Sequence, residues 1–129
     1  MSTIPSRRLE LAWSDFFELA PVPVSMYVPS RPGVYRLSFY DEARQARTVF
    51  HVDQAENLRL ALREHYLHSN PSSCIGTMLR SHRCYFRYAK LPDQADREAA
   101  VRALFDTCKP QCTDPTTVPQ VVPAEINFE

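Results

Sequence analysis

The sequence predicts an α+β fold: a small, mainly antiparallel three-stranded sheet flanked by helices, with an extra N-terminal helix and an extended C-terminal tail. Three observations carry this. Two alternating aromatic and β-branched runs, GVYRLSFY at 33–40 and RTVFHV at 47–52, are separated by a polar turn, the pattern of a hairpin. Apolar residues at i, i+3, i+4 and i+7 recur within 57–65, and an amphipathic stretch leads up to Pro110; both are helical spacings. Prolines gather at 21–32 and 110–123, where they mark connectors rather than a core.

Taken in order, Arg8 to Leu19 offers Leu9, Leu11, Ala12, Phe16, Phe17 and Leu19 among Glu10, Asp15 and Glu18. A short helix with a broad apolar face is expected there, stopped by Pro21. Pro21 to Pro32 is expected to be an extended connector, since proline biases its predecessor away from helix. In the first strand Val34, Arg36 and Ser38 alternate with Tyr35, Leu37 and Phe39, and Asp41 to Ala46 turns the chain into the second. Asn57 caps a helix to about His65, with His68 in the loop beyond. Pro71-Ser72-Ser73 opens another helix, through about Arg80. CYFRYAK at 84–90 is the third strand. Asp93 or Asp96 caps a last helix with Val101, Leu104, Phe105 and Cys108 on its buried stripe. Residues 114–129 lack periodicity and read as a tail. The expected division is therefore an N-terminal helix and proline-rich connector at 1–31, a domain at 32–113 and an extended tail at 114–129.

The chain has 129 residues with 15 basic and 15 acidic side chains, one domain's worth of polypeptide. Its balanced charge favours neither a nucleic acid nor a membrane surface as a whole-molecule partner, so binding must come from local patches. No apolar run reaches the ~18 residues of a membrane span, and acids interrupt the N-terminal apolar stretch too soon for a secretory signal. A cytoplasmic location follows as the expectation, with the four cysteines reduced.

The pieces fall in an order that resembles the GIY-YIG nuclease superfamily over residues 32 to about 113. Gly33-Val34-Tyr35 after Pro32 resembles the first signature tripeptide, and His51-Val52-Asp53 occupies the place of the second. Gln54-Ala55-Glu56-Asn57-Leu58 is similar to the turn into the family's first helix, and Lys109-Pro110 to its closing basic residue and proline. The resemblance implies a site in which two tyrosines flank an attacking water. An arginine stabilises the charged transition state, and a glutamate holds one divalent metal.

Carried over residue by residue, Tyr35 takes the first tyrosine position and His51 the second, where an imidazole can serve as a base. His65 matches a histidine of many members. The arginine position holds Ala61, the metal-glutamate position Val101, and the asparagine after the closing proline is Thr113. Glu98, one helical turn before Val101, is the candidate for a relocated metal ligand. Arg59 and Arg63 lie about 200° around the helix from Ala61 and replace its function poorly.

The resemblance thus implies a degenerate, non-catalytic domain acting as a binding module, for nucleic acid first. Arg80, Arg83, Arg87 and Lys90 stand with Tyr85 in an acid-free stretch, RSHRCYFRYAK, which offers phosphate contacts and a stacking ring. The bland reading of the same residues is an edge strand protected by charge. One alternative is an active endonuclease with a Glu98/His51 site, for which Mg²⁺ or Mn²⁺ would be needed; otherwise no cofactor is expected. Another is a protein-interaction module docking through the N-terminal helix or the tail. Cys108 and Cys112 have zinc-like spacing, but Cys74 and Cys84 form no second pair, so core filler is the leading reading, with metal, iron–sulfur or disulfide as alternatives.

Overall fold

Three long strands form the frame of the molecule, and a bulge in the outermost decides what that frame presents. A computed structural model describes residues 7–128. In chain order the elements are β1 (Arg8–Leu9), β2 (Phe17–Glu18), α1 (Pro21–Tyr27), β3 (Gly33–Asp41), β4 (Ala46–Ala55), α2 (Leu58–His68), α3 (Cys74–Ser81), β5 (Cys84–Lys90) and α4 (Gln94–Cys108). A 3₁₀ turn at Pro115–Thr117 and β6 (Glu125–Ile126) complete the chain. The α+β class holds, but the main sheet has four strands, in the order β2-β5-β3-β4 with every neighbour antiparallel. The expected count of three is corrected accordingly. A separate two-stranded sheet pairs β1 with β6 in parallel.

The N-terminal helix expected over Arg8 to Leu19 is not formed; that stretch is extended. Leu9, Leu11, Trp13, Phe17 and Leu19 are all at least half-buried and fall on odd positions, while Glu10, Ala12, Phe16 and Glu18 are exposed. The governing period is two, a strand period. Lying extended lets Ser14 and Leu19 donate backbone N–H groups to the carbonyls of Tyr88 and Cys84, at 2.8 and 2.9 Å, so the segment covers the edge of β5. Helix appears instead in the expected connector, as α1. Pro21 and Pro23 both sit in its first turn, where a backbone N–H has no intrahelical partner and the fixed φ suits the helix.

The tail is docked at its end: β6 pairs Glu125 and Ile126 with Arg8 and Leu9, and the Asn127 side chain brackets Leu11, accepting from its N–H at 2.6 Å and donating to its carbonyl at 2.7 Å. Trp13 Nε1 donates to the Asn127 carbonyl at 2.7 Å. Residues 1–6 and 129 of the two expected end segments lie outside the described residues. α2 runs three residues past its expected end, to His68, whose Nε2 lies 4.0 Å from the Glu64 carboxylate one turn back.

The two faces of the sheet bury separate cores. On one, Tyr35, Leu37, Phe39, Phe50 and Phe86 pack against Val24 and Val28 at α1, Leu58 and Leu62 of α2 and Met78 of α3. On the other, Val34, Val52 and Ala89 pack against Ala100, Val101 and Leu104 of α4, with Leu11 and Val118. Gly33 starts β3 where a Cβ would stand 2.3 Å from the Ala89 carbonyl oxygen and 2.7 Å from Leu58 Cδ1. Strand and helix approach too closely there for any side chain. No helix among the described residues is long and apolar enough to cross a membrane.

Candidate functional site

Strict alternation along RTVFHV would send Phe50 and His51 to opposite faces. The register of β3 with β4 slips between Leu37↔His51 and Ser38↔Val49, a bulge that leaves two residues of β4 on one face. Phe50 joins the α2-side core, and His51 turns to that same face, its ring centroid 6.1 Å from that of Tyr35. Asp53, the cross-strand partner of Tyr35, follows on the same side. From α2, capped by Asn57 accepting the Leu60 N–H at 3.1 Å, His65 descends onto the pair. Its Nε2 lies 2.8 Å from Tyr35 Oη, and its ring meets His51 edge-on at 5.2 Å between centroids. The structure thus brings Tyr35, His51 and His65 into one cluster.

Thr113 closes it from behind. Its Oγ1 accepts the Val52 N–H at 3.0 Å and lies 3.1 Å from His51 Nδ1, while Cys112 N–H donates to the Phe50 carbonyl at 2.8 Å. The segment after α4 therefore lines the outer edge of β4. His51 is 8% exposed, and its Nε2 has no hydrogen-bond partner among the described residues; Asp53 Oδ2 stands 3.9 Å away.

Burial sets the protonation of the cluster. It pushes His51 and His65 down to about 4, the His51–His65 pairing adding to the depression at His65, so both imidazoles are neutral at pH 7. Burial, with the Asp53 carboxylate beside it, pushes the Tyr35 phenol well above its ordinary value, so it keeps its proton. Burial raises the Asp53 carboxyl too. The result is a neutral phenol–imidazole pair, Tyr35 with His65, beside a second neutral imidazole, and each ring nitrogen is a weak base.

The positions where charge was sought are apolar. Ala61 packs on the Tyr35-side core. Val101, 2% exposed, lies in the core of the opposite face. Glu98 is half-buried on α4, accepting from Gln94 Nε2 at 3.2 Å. A divalent cation as the resemblance implies it does not fit: its ligand position is a valine inside an apolar cluster. Among the described residues, no group of three or more His, Cys, Asp and Glu is placed to hold a metal ion.

Sequence reasoning passed over Arg97. It is 5% exposed, donating from Nε to Gln54 Oε1 at 3.2 Å and from Nη1 to the carbonyls of Leu91 and Pro92 at 3.1 and 2.7 Å. It ties α4 to the strand end beside Asp53. The signal was its spacing: Arg97, Val101, Leu104 and Cys108 follow i, i+4, i+7, i+11, one continuous stripe with a cation at its head.

The basic residues of 80–90 are dispersed. Arg87 donates from Nε to the Ser14 carbonyl at 2.7 Å and lies over the Phe16 ring. Arg83 pairs loosely with Glu18, 3.8 Å away. Lys90 is paired in register with Gly33, at the opposite end of β5 from Cys84, and Arg80 stands on the last turn of α3. β5 is an inner strand rather than an edge. Arg83 and Tyr85 meet Arg47, Tyr40 and His82 around a cleft of about 960 Å³ at the hairpin end of the sheet.

The cysteines are not all reduced filler. Cys74 and Cys112 form a disulfide across 38 positions, while Cys84 and Cys108 are free. Ser73 caps α3 with its hydroxyl on the Gly76 N–H, 3.0 Å away, which brings Cys74 to the helix start, next to the segment lining β4. Tertiary placement, not sequence spacing, makes the pair.

With this geometry in place, solved structures of similar shape define the fold. The chain is similar to the GIY-YIG N-terminal endonuclease domain of UvrC from Thermotoga maritima bound to its catalytic divalent cation, magnesium. The TM-score is 0.54 at 13% identity, covering 72% of this chain and 93% of that one. A point mutant of that domain bound to its catalytic divalent cation gives a TM-score of 0.52 at 14% identity, covering 74% and 99%. The fold is GIY-YIG-like. A family model described as "Uncharacterised protein" matches residues 6–124, and the chain belongs to that family. No curated protein matches it.

Proposed function

We propose that this chain is a degenerate GIY-YIG-like domain that no longer cleaves and acts as a nucleic-acid-binding module. The state of the Tyr35 pocket carries the reading. The Tyr35 phenol is bonded to His65 and the His51 imidazole to Thr113, and all three rings are neutral and mostly buried. A nuclease needs a base poised near the working pH and fixed charge against the developing phosphorane. Here the imidazoles ionise near 4, and Ala61 and Val101 present neither charge nor coordinating oxygen. Each such electrostatic contact is worth roughly 10²–10³ in rate, so losing both removes most of a nuclease's advantage. The GIY-YIG-like fold supports a nucleic-acid surface as the retained function.

The test is incubation of the chain with plasmid and branched DNA in Mg²⁺ or Mn²⁺, beside binding titrations over a range of salt. No cleavage, and binding that weakens steeply with salt through counterion release, is the expected result. Metal-dependent cleavage abolished by Glu98→Ala would establish the endonuclease instead. Salt-insensitive association with a protein, and none with nucleic acid, would establish an interaction module.

A further inference from the structure

We infer that the cleft at the hairpin end of the sheet is a phosphate site with a stacking wall, taking a nucleotide unit through Arg47; it rests on the nucleic-acid reading above and gives that reading its point of contact. Arg47 lies against two rings, its guanidinium carbon 4.0 Å from the Phe16 centroid and 4.7 Å from that of Tyr85. Ring contacts occupy the faces of a guanidinium. Its N–H donors lie in the plane, and among the described residues no hydrogen bond or ion pair engages those of Arg47. A planar fork held against two rings at the lining of a cleft, its donors unengaged, matches the oxygens of a phosphate.

Arg87 provides an internal contrast. It lies over the same Phe16 ring, at 4.6 Å, but commits Nε to the Ser14 carbonyl and Nη1 to that of Phe128. One arginine on that ring completes the fold, and the other lines an open space of about 960 Å³.

The rest of the lining suits a nucleotide. Arg83 is exposed, and its contact with Glu18, also exposed, is of the weak surface kind and readily exchanged. His82 lies flat on Phe39, 4.1 Å between centroids, and Tyr40 is 45% exposed; with Tyr85 these rings offer a base a stacking wall. Of the two acids in the lining, Asp41 is turned to its own turn, accepting from the N–H groups of Ala43 and Arg44 at 3.0 and 3.3 Å and facing Arg44 Nε at 3.6 Å. Glu42 is the one carboxylate left to oppose an anion at the lip.

The shared chemistry of a free nucleotide and a strand calls for three probes against the full chain: inorganic phosphate, adenosine monophosphate and a short single-stranded deoxyadenosine oligomer. Arginine side-chain N–H resonances and tyrosine ring resonances report the contact. With the oligomer, the Arg47 Nε–H and the Tyr40 and Tyr85 rings are expected to shift. Arg47→Lys, which keeps the charge and loses the fork, should weaken oligomer binding about tenfold. Arg83→Gln, which does not touch the Phe16 stack, should weaken it severalfold and serves if Arg47→Lys unfolds. Arg8→Gln, whose side chain faces Glu10 at 3.5 Å and lies outside the cleft lining, should leave it unchanged.

Oligomer binding unaffected by either cleft variant overturns the cleft assignment while leaving the nucleic-acid reading standing. Shifts with adenosine monophosphate but no oligomer binding keep the cleft and overturn the nucleic-acid reading in favour of a free nucleotide. An Arg47 resonance unmoved by all three probes overturns the inference, and Arg47 is then only a clip between hairpin and N-terminal segment.

Discussion

The Tyr35 pocket and the Arg47 cleft share the β3–β4 hairpin, yet their polar atoms are disposed in opposite ways. Around Tyr35, the phenol meets His65 and the Thr113 hydroxyl meets His51, while His51 Nε2 is buried without a partner among the described residues. Around Arg47, the aromatic faces are satisfied and the donors are left open to the cleft. A buried polar group must find its partner inside the protein, whereas a group at the surface can wait for one from outside. The comparison teaches that the Tyr35 end of these strands belongs to the interior, while the hairpin end leaves its donors at the surface.

The largest effect is expected on the opposite face of the sheet, at the position where the resemblance implies a metal ligand. Val101→Glu places a carboxylate in the α4-side core and should cost about 4 kcal/mol or more in urea unfolding; a stable variant with an ordinary glutamate would show that the interior reading is wrong. Next in size is the clamp behind the pocket. Removing the cross-link with Cys74→Ala/Cys112→Ala opens a closed loop spanning 38 positions and should lower stability by about 4 kcal/mol at most, with loss of amide protection at Cys112 and Val52.

Acid should act on the pocket in a defined window. His51 and His65 ionise near 4 in the fold against 6.5 for a free imidazole, so the unfolded chain binds protons first as pH falls. Their contribution is complete above 6.5, declines between 6.5 and 4 and stays lost below, by about 3 kcal/mol for His51 alone. Asp53, whose carboxyl burial raises, offsets part of it. Unfolding free energies at the two ends of the window, for wild type and His51→Gln, check the sign: the variant should lose less on acidification. Smaller again, Thr113→Val leaves the Val52 N–H without its side-chain acceptor and should cost roughly 1–3 kcal/mol. Arg47→Lys, by contrast, should move the melting temperature little while weakening binding; an equal loss of both would erase the distinction between the two sites.

Much of the central domain was legible from residue pattern. The hairpin, the Asn57 and Ser73 caps, β5 and α4 follow from alternation, turn chemistry and helical spacing, each a local property. The ends were misread because Phe16 and Phe17 are adjacent and Ala12 and Leu19 are apolar, which mimics a helical stripe. Only the partner strands reveal that the odd positions face inward. The proline cluster misled for the opposite reason: two prolines within a first turn promote the helix they seemed to forbid. Of the Tyr35 cluster, the residues were readable and their convergence was not, because a one-residue bulge decides where His51 points. Arg47 went unremarked as one cation among many. Its opposition to Tyr40 across the turn was in the sequence, but the Phe16 ring it lies against comes from 31 positions away.

The pairing of the first strand with the last has a consequence for how the molecule is made. Leu11 and Trp13 find their partner in Asn127, 116 and 114 positions later. At a ribosomal rate of 5–20 residues per second, on the order of ten seconds passes between their synthesis and that of their cover. Throughout that interval Leu11 and Trp13 lack the cover that Asn127 supplies, an opening for a nascent-chain chaperone.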